Sequence, residues 1–278
     1  MTVIMVLGVM FALLLAGLPV AFSLGVLGLG MLVIGGFSPL MAPQAILSTL
    51  DGFILLAVPL FLLMSNILLR GGCGKDLFSA VQAWVGHWPG GLAVATIVSC
   101  GIFAAISGVS VATAATIGVV AIPEMIKRGY NKNFVYGLLA AGGTLGILIP
   151  PSLPMIVYGF VTEESVISLF LAGMGPGIFL ITLFIIFSII YSKYFGGYKR
   201  VPPASWKERK KYSIKVLPTL TLAVLILGGI YTGVFTPTEA AAVGFSLALF
   251  LTTILLRSLT LADFKKALFE SMVTTAAI

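Results

Sequence analysis

Charged residues are scarce in this chain of 278 residues: Asp, Glu, Lys and Arg together make up 9%, whereas hydrophobic residues make up 59%. A typical soluble domain has about 25% charged residues. The mean hydropathy of +1.16 is strongly positive as well. The composition therefore excludes a water-soluble enzyme and predicts a polytopic membrane protein.

Histidine and cysteine are nearly absent. His87 is the single histidine, and the two cysteines, Cys73 and Cys100, lie far apart without metal-ligand spacing. A zinc site needs several such ligands, and a histidine-based catalytic dyad needs a nucleophile beside the ring. No carboxylate lies in the middle of an apolar segment, so an intramembrane enzyme has no catalytic set. We expect no enzyme and no cofactor, and both cysteines are expected to be packing residues.

The charges that are present lie in alternating loops. Basic residues cluster in residues 70–75, 127–132, 193–215 and 257–266, and four of the nine acidic residues, Asp51, Glu163, Glu164 and Glu239, lie in the alternate loops. Loops rich in Lys and Arg face the cytoplasm. The net charge of +7 therefore reports membrane orientation and not nucleic-acid binding.

The first 70 residues predict three membrane spans. No cleavable signal pattern opens the chain, so the first span is expected to stay in the membrane. Residues 2–36 are too long for one untilted span, which favours two spans with a tight turn near Gly17 and Pro19; one long kinked helix is the alternative. Residues 37–52 are predicted to be a loop, and residues 53–69 a third span.

Residues 86–127 predict a re-entrant helical hairpin. About 40 apolar or small residues are interrupted by AISGVSVATAA, and both ends of the segment lie next to basic loops, on the cytoplasmic side. A single crossing would place the ends on opposite faces of the membrane, whereas a hairpin returns to the same face. We predict a hairpin over about residues 88–126 with its tip near residues 107–110.

Residues 133–161 predict an outward span that is broken in its middle by GGTLGILIPPSLP at residues 142–154. Pro150 and Pro151 lack a backbone N–H, and the glycines weaken the helix further. Backbone groups freed at membrane depth are tolerated only where protein or a bound group satisfies them. Further spans are predicted over residues 165–191, 216–234 and 240–256.

The basic segment over residues 196–215 is predicted to lie on the cytoplasmic surface as an amphipathic arm, with a solvated loop as the alternative. LPVAFSLG at residues 18–25 and TPTEAAAVG at residues 236–244 each place a proline before a span, on opposite faces. This pattern indicates inverted repeats, with residues 1–195 as the first repeat and 216–278 as the start of the second. We expect the chain to lack most of that second repeat.

The hairpin tip and the broken segment offer neutral oxygens and no charged side chain. Serine hydroxyls and unwound carbonyls are suited to a sodium ion, and the ends of half-helices favour the anionic group of a substrate. The alternative is that the small residues only allow close helix packing. Two such segments facing each other favour a site.

Several motifs resemble those of one family. GGLAVATIVSCGIFAAISGVSVATAATIG, IPEMIKRGYNKNF, AAGGTLGILIPPSLPMIVYG, LFLAGMGPG and FTPTEAAAVG are similar to the large membrane subunit, the DctM type, of tripartite ATP-independent periplasmic (TRAP) transporters. The resemblance implies an all-α, inverted-repeat elevator-type transporter in the bacterial inner membrane. It implies sodium-driven import of an organic anion such as a C4-dicarboxylate or sialic acid. The implied partners are a small four-span subunit (DctQ type) and a periplasmic solute-binding protein (DctP type).

The resemblance also implies the site residues, with one departure: Val109 stands where a serine is commoner in the hairpin tip. The predicted sodium ligands are Ser107, Ser110, Gly142, Thr144, Gly146, Leu148 and Pro150. The predicted substrate-facing residues are Gly108, Val109, Gly143, Pro151 and Ser152. The alternative function is a sodium- or proton-coupled anion carrier of related fold that needs no binding protein.

Overall fold

The computed structural model describes residues 2–195, 197–198 and 201–277, and these residues form helices without a β-strand. The chain divides into two compact units, Met1–Gly52 and Phe53–Ile278. Six segments in the described part of the chain are long and apolar enough to cross a membrane. An all-α, polytopic membrane fold is therefore confirmed.

The first unit contains α1 (Thr2–Leu15), α2 (Val20–Ile34) and α3 (Met41–Leu50). Gly17 has a left-handed φ of +86° between α1 and α2, a conformation that glycine adopts without steric cost. Two helices with a turn at this point are thus confirmed over one long kinked helix. Because α1 and α2 have 14 and 15 residues, fewer than the roughly 20 of a full span, their crossing of the membrane stays a prediction.

The predicted loop over residues 37–52 is wrong, because most of it forms α3. Pro43 is the third residue of this helix. The first backbone N–H groups of a helix have no partner within the helix, so a proline at this position removes no hydrogen bond. A polar, proline-containing segment favours a loop from sequence alone, but Pro43 lies in a helix's first turn.

The second unit opens with a short 3₁₀ turn (Phe53–Leu56) that leads into α4 (Ala57–Arg70), followed by α5 (Cys73–Val85). Together the turn and α4 are one of the six apolar segments, which confirms the span predicted over residues 53–69.

A helical hairpin and a broken helix follow. The hairpin consists of α6 (Gly91–Ser107) and α7 (Ser110–Lys127), and the broken helix consists of α8 (Lys132–Leu148) and α9 (Leu153–Thr162). The side chain of Asn131 caps α8 by accepting a hydrogen bond from the Asn133 N–H at 2.9 Å. Both the hairpin turn and the helix break are confirmed, and re-entry of the hairpin into the membrane stays a prediction.

Four further helices complete the described chain: α10 (Val166–Phe195), α11 (Trp206–Tyr231), α12 (Pro237–Phe250), which ends in a π-helical turn (Leu251–Leu255), and α13 (Leu261–Ala277). Three of these segments, α10, α11 and α12 with its π-helical turn, are long and apolar enough to cross a membrane, in agreement with the spans predicted over residues 165–191, 216–234 and 240–256. Both α11 and α12 begin at a capping box, in which the side chains of Ser205 and Glu208, or of Thr236 and Glu239, bond each other's backbone N–H.

The predicted surface arm and the span after residue 215 are not separate helices, and the arm's position on the cytoplasmic surface stays a prediction. Residues 206–215 form the first turns of α11 and continue into the span without interruption. The capping box starts the helix at Trp206, and the basic residues that follow are good helix formers. The arm's remaining residues, 196–205, contain three that lie outside the described residues.

Helix α6 is the centre of the second unit. Of its 17 residues 14 are buried, and it packs against α5, α7, α8 and α10. A helix that is apolar on every side is buried among other helices or in lipid, and α6 is surrounded by helices. Because α6 ends at the hairpin tip, the most enclosed helix of the unit also positions the candidate site.

Candidate functional site

The hairpin tip is a two-residue turn between α6 and α7. Gly108 has a left-handed φ of +65°, and Val109 is extended with φ −126° and ψ 121°. A side chain on Gly108 would be strained in this conformation. A Cβ atom added there would also lie 2.3 Å from the carbonyl oxygen of Pro151, so only glycine fits between the tip and the broken helix.

The tip contacts the break directly. The Leu153 N–H, at the start of α9, donates a hydrogen bond to the Gly108 carbonyl at 3.2 Å. On α8, a Cβ added to Gly146 would lie 2.9 Å from the backbone N of Ser110 and from the carbonyl O of Val109. A Cβ added to Gly143 would lie 3.0 Å from the Cβ of Ala114. The structure thus brings the two predicted segments together.

Three hydroxyl groups line the inside of the tip. The buried Ser107 Oγ lies 2.9 Å from Thr113 Oγ1 and accepts a hydrogen bond from the Val109 N–H at 3.4 Å. Thr113 donates its hydroxyl proton to the Val109 carbonyl at 2.9 Å. In the hydrogen bond between the two hydroxyl groups, Ser107 is therefore the donor and Thr113 the acceptor. Ser110 forms no side-chain hydrogen bond within the described residues. One lone pair of Ser107 and the whole Ser110 hydroxyl remain available to a ligand.

The prolines free carbonyl groups at the end of α8. A helical carbonyl normally accepts from the N–H four residues later; Pro150 and Pro151 remove that donor for Gly146 and Ile147. The Ile147 carbonyl accepts a hydrogen bond from the buried Ser152 hydroxyl instead. Pro150 thus removes the helical donor of the Gly146 carbonyl, and no side-chain hydrogen bond within the described residues replaces it, in contrast to Ile147.

Not every predicted residue lies at the tip. Gly142 packs against α6, where an added Cβ would be 2.8 Å from Cys100 Sγ. Thr144 is exposed, and its hydroxyl donates to the Ala141 carbonyl at 2.7 Å. The Leu148 carbonyl oxygen lies 2.7 Å from an added Cβ at Gly173 of α10. The structure places these three residues on other faces of α8, away from the tip.

The other predicted residues lie in the tip or in the break. Ser107, Gly108, Val109 and Ser110 form the tip, Gly143 and Gly146 face it from α8, and Pro150, Pro151 and Ser152 are buried in the break. Sequence reasoning missed Thr113, although its position one turn into α7, with a carbonyl four residues earlier, is typical of a threonine that bonds back to the helix. It also missed Gly173, whose close approach to the Leu148 carbonyl depends on the packing of α10 against α8.

The site contains no ionisable side chain. Residues 107–110 and 142–153 include no Asp, Glu, Lys, Arg or His, and the described residues contain no group of three metal-ligating His, Cys, Asp or Glu. Neutral hydroxyl and carbonyl oxygens suit a hard cation such as an alkali ion. The N-terminal ends of α7 and α9 both lie here and add positive partial charge.

The six long apolar helices in the described part of the chain define a polytopic α-helical membrane protein. Its helical hairpin meets a broken helix at neutral oxygens, and such discontinuous helices are found in secondary transporters. The family model described as "Tripartite ATP-independent periplasmic transporter, DctM component" matches residues 7–278. The chain belongs to this family.

Characterised relatives support this membership. The chain is 36% identical to the C4-dicarboxylate TRAP transporter large permease protein DctM of Rhodobacter capsulatus, over 98% of this chain and 65% of the relative. It is 39% identical to the ectoine TRAP transporter large permease protein TeaC of Halomonas elongata, over 95% of this chain and 62% of the relative. It is 38% identical to the sialic acid TRAP transporter large permease protein SiaM of Vibrio cholerae, over 96% and 62%. The chain thus spans slightly less than two thirds of the length of these relatives, which are transport permeases and not enzymes.

Proposed function

We propose that this chain forms part of a permease that imports a small carboxylate-bearing solute together with sodium ions across the bacterial inner membrane. One observation carries the proposal: the hairpin tip and the break of the α8–α9 helix meet at backbone and hydroxyl groups, and neither segment contains an ionisable side chain. Neutral oxygens at such a contact are typical of sodium coordination in secondary transporters. Ser107, Ser110 and the Gly146 carbonyl are the proposed ligands, because the two serines flank the tip turn and Gly146 packs against that turn from α8.

The substrate is proposed from the names of the relatives. C4-dicarboxylates, ectoine and sialic acid differ in size, but each contains a carboxylate group. The first amide groups of α7, including the Ser110 N–H, have no acceptor within their own helix. A helix N-terminus favours an anion, so these amides are the proposed contact for the carboxylate, beside Gly108, Val109, Gly143, Pro151 and Ser152.

The proposed mechanism is alternating access with sodium as the coupling ion. The hairpin and the α8–α9 helix would move as one block, because glycine contacts and the Leu153–Gly108 hydrogen bond join them. Sodium would hold the unwound backbone in the arrangement that the carboxylate contacts. A ligand that orders the site for a second ligand raises the second ligand's affinity. A small membrane subunit and a periplasmic binding protein are the proposed partners.

Uptake into proteoliposomes tests this function. The permease is reconstituted with its small subunit and its binding protein, and uptake of radiolabelled C4-dicarboxylate, ectoine or sialic acid is measured with an inward gradient of sodium or of potassium. We expect uptake of one substrate only with the sodium gradient. Equal uptake in both gradients would overturn sodium coupling, and equal uptake without the binding protein would support the binding-protein-independent carrier.

A further inference from the structure

One face of α11 changes from basic to apolar along its length. Lys207, Lys210 and Lys211 lie in its first two turns, and Ile214 and Leu217 follow; all five are exposed. At about 100° per residue these positions fall within roughly one third of the helix circumference. The lysines are therefore continuous with an apolar strip on the same side of the helix.

Two of the chain's three tryptophans lie beside these lysines. The rings of Trp84, on α5, and Trp206 meet edge to face with centroids 5.8 Å apart, and the Arg209 guanidinium lies 5.4 Å above the Trp84 ring. The Trp84 indole N–H donates to Ser213 Oγ at 3.0 Å. Although these contacts fix both rings, Trp206 is still 71% exposed. Exposed tryptophans beside basic residues are typical of the membrane–water interface.

The three lysines lack ion-pair partners in the part of the chain that the structure describes. None of the ion pairs found in residues 2–195, 197–198 and 201–277 involves them. The neighbouring Glu208 accepts a hydrogen bond from the Ser205 N–H at 2.8 Å in the helix cap. The next basic residue, Lys215, is paired with Asp76 at 2.6 Å. The lysines therefore present unpaired positive charge at this surface.

An apolar groove begins where the lysines end. It has a volume of about 490 Å³ and lies between α11 and α12, within the roughly 300–1,000 Å³ range of small-ligand sites. Its lining includes Ile214, Leu217 and Leu225 of α11, Leu247 and Phe250 of α12, and Leu255 of the π-helical turn. Its one hydroxyl group, on Thr221, already donates to the Leu217 carbonyl at 2.9 Å. The groove therefore has no unsatisfied hydroxyl group that a polar ligand would bond.

We propose that this face of α11 and the adjoining groove bind an anionic phospholipid. The headgroup phosphate lies against Lys207, Lys210 and Lys211, and one acyl chain occupies the groove. Juxtamembrane lysine clusters attract anionic lipid headgroups, and a dry apolar groove is suited to a hydrocarbon chain. A soluble anion would use the lysines without the groove, so the combination selects the lipid. This inference does not depend on the transported substrate.

The headgroup half of the site is tested with lipid nanodiscs and native mass spectrometry of the 278-residue chain. The probe is dioleoyl phosphatidylglycerol in competition with dioleoyl phosphatidylcholine. Each lysine near the surface contributes about fivefold, so we expect at least about a fivefold preference for phosphatidylglycerol. Lys207→Gln/Lys210→Gln/Lys211→Gln is expected to reduce it to within about twofold. The control Lys132→Gln/Lys265→Gln/Lys266→Gln removes the same charge elsewhere and is expected to keep it.

The groove half is tested by filling it. Leu217→Trp places a bulky indole ring in the groove and is expected to lower the amount of retained phosphatidylglycerol by about threefold or more. Val224→Trp, on an exposed position of α11 outside the groove, is expected to leave it unchanged. Circular dichroism and size-exclusion profiles check that each variant is folded.

Three results would overturn the proposal. The first is an unchanged lipid preference in the α11 triple variant. The second is an equal loss in the control triple variant, since net charge alone would then explain binding. The third is displacement of the lipid by free glycerol phosphate at equal concentration, because the groove would then contribute nothing.

Discussion

At the scale of single residues, the candidate site depends on how little space its members occupy. Gly108 has a left-handed φ, and a Cβ added there would lie only 2.3 Å from Pro151 O; a Cβ added to Gly146 would lie 2.9 Å from Ser110 N and Val109 O. Ser107 and Thr113 then supply hydroxyl groups in a buried turn. Small residues bring the backbones together, and the serine oxygens remain available for a ligand.

Gly108→Ala tests this contact. The substitution introduces left-handed strain of about 1–2 kcal/mol and a clash with a backbone oxygen, which cannot move like the end of a side chain. We expect the variant to unfold at a temperature lower by several degrees, measured by intrinsic fluorescence in detergent. Gly137→Ala on α8 is the matched control, since an added Cβ there meets nothing within 4 Å. A similar shift for both variants would argue against the close contact.

Ser107→Ala/Ser110→Ala tests the proposed ion ligands. The double variant removes two hydroxyl oxygens, each contributing on the order of 1 kcal/mol, so the sodium concentration for half-maximal uptake is expected to rise about tenfold or more. The measurement is sodium-dependent uptake by the reconstituted transporter. Ser79→Ala/Ser246→Ala is the control, because both hydroxyls only bond back to their own helix. Unchanged sodium dependence in the tip variant would contradict the assignment.

At the scale of elements, the break in the α8–α9 helix is the feature that creates acceptors. Two successive prolines remove the donors for the Gly146 and Ile147 carbonyls, and the Ser152 hydroxyl satisfies the second. The tip of the α6–α7 hairpin then contacts the break from the side of Gly108. Neither element forms the candidate site by itself.

Pro150→Ala/Pro151→Ala tests the role of the break. Alanine restores both N–H groups, so the helix can continue and its carbonyls are satisfied internally. We expect the double variant to remain folded while its sodium-dependent uptake falls about tenfold or more. Pro154→Ala is the control, because Pro154 lies in the first turn of α9, where its missing N–H costs no hydrogen bond. Full sodium-dependent uptake in the double variant would rule out the freed carbonyls as ligands.

The hairpin and the break could be predicted from sequence because their causes are local. Glycine at the turn and consecutive prolines in a helix act within about one turn of the chain. The loop predicted in place of α3 failed at Pro43, whose effect depends on whether it is in the first turn or the interior of a helix. The arm was predicted as a separate element because its residues are basic and those of the span are apolar. A change in charge does not end a helix, and α11 continues from the basic residues into the apolar ones.

The orientation of individual site residues could not be predicted from sequence. Thr144 and Leu148 are in the right segment, but the helical rotation turns them away from the hairpin, toward an exposed face and toward α10. Thr113 is six residues from Ser107, and only the turn geometry brings their hydroxyls to 2.9 Å. These facts depend on packing between elements, which a motif does not encode.

At the scale of the whole molecule, the second unit is built around α6, which other helices enclose on every side. The candidate site lies at the end of this helix and uses only residues 107–153. The chain belongs to a transporter family whose members are longer than this chain. Sodium binding is the part of the proposed function that uses only the described residues, and substrate transport is proposed for the permease with its partners.

Thermal unfolding of the purified chain in sodium, compared with potassium or choline, tests the central claim most directly. A ligand present at about ten times its Kd stabilises the folded state by about 1.4 kcal/mol, so we predict an unfolding temperature a few degrees higher in sodium chloride than in potassium chloride at equal ionic strength. The Ser107→Ala/Ser110→Ala variant is predicted to lose this difference. Equal unfolding temperatures of the unmodified chain in all three salts would contradict a sodium site at the hairpin tip.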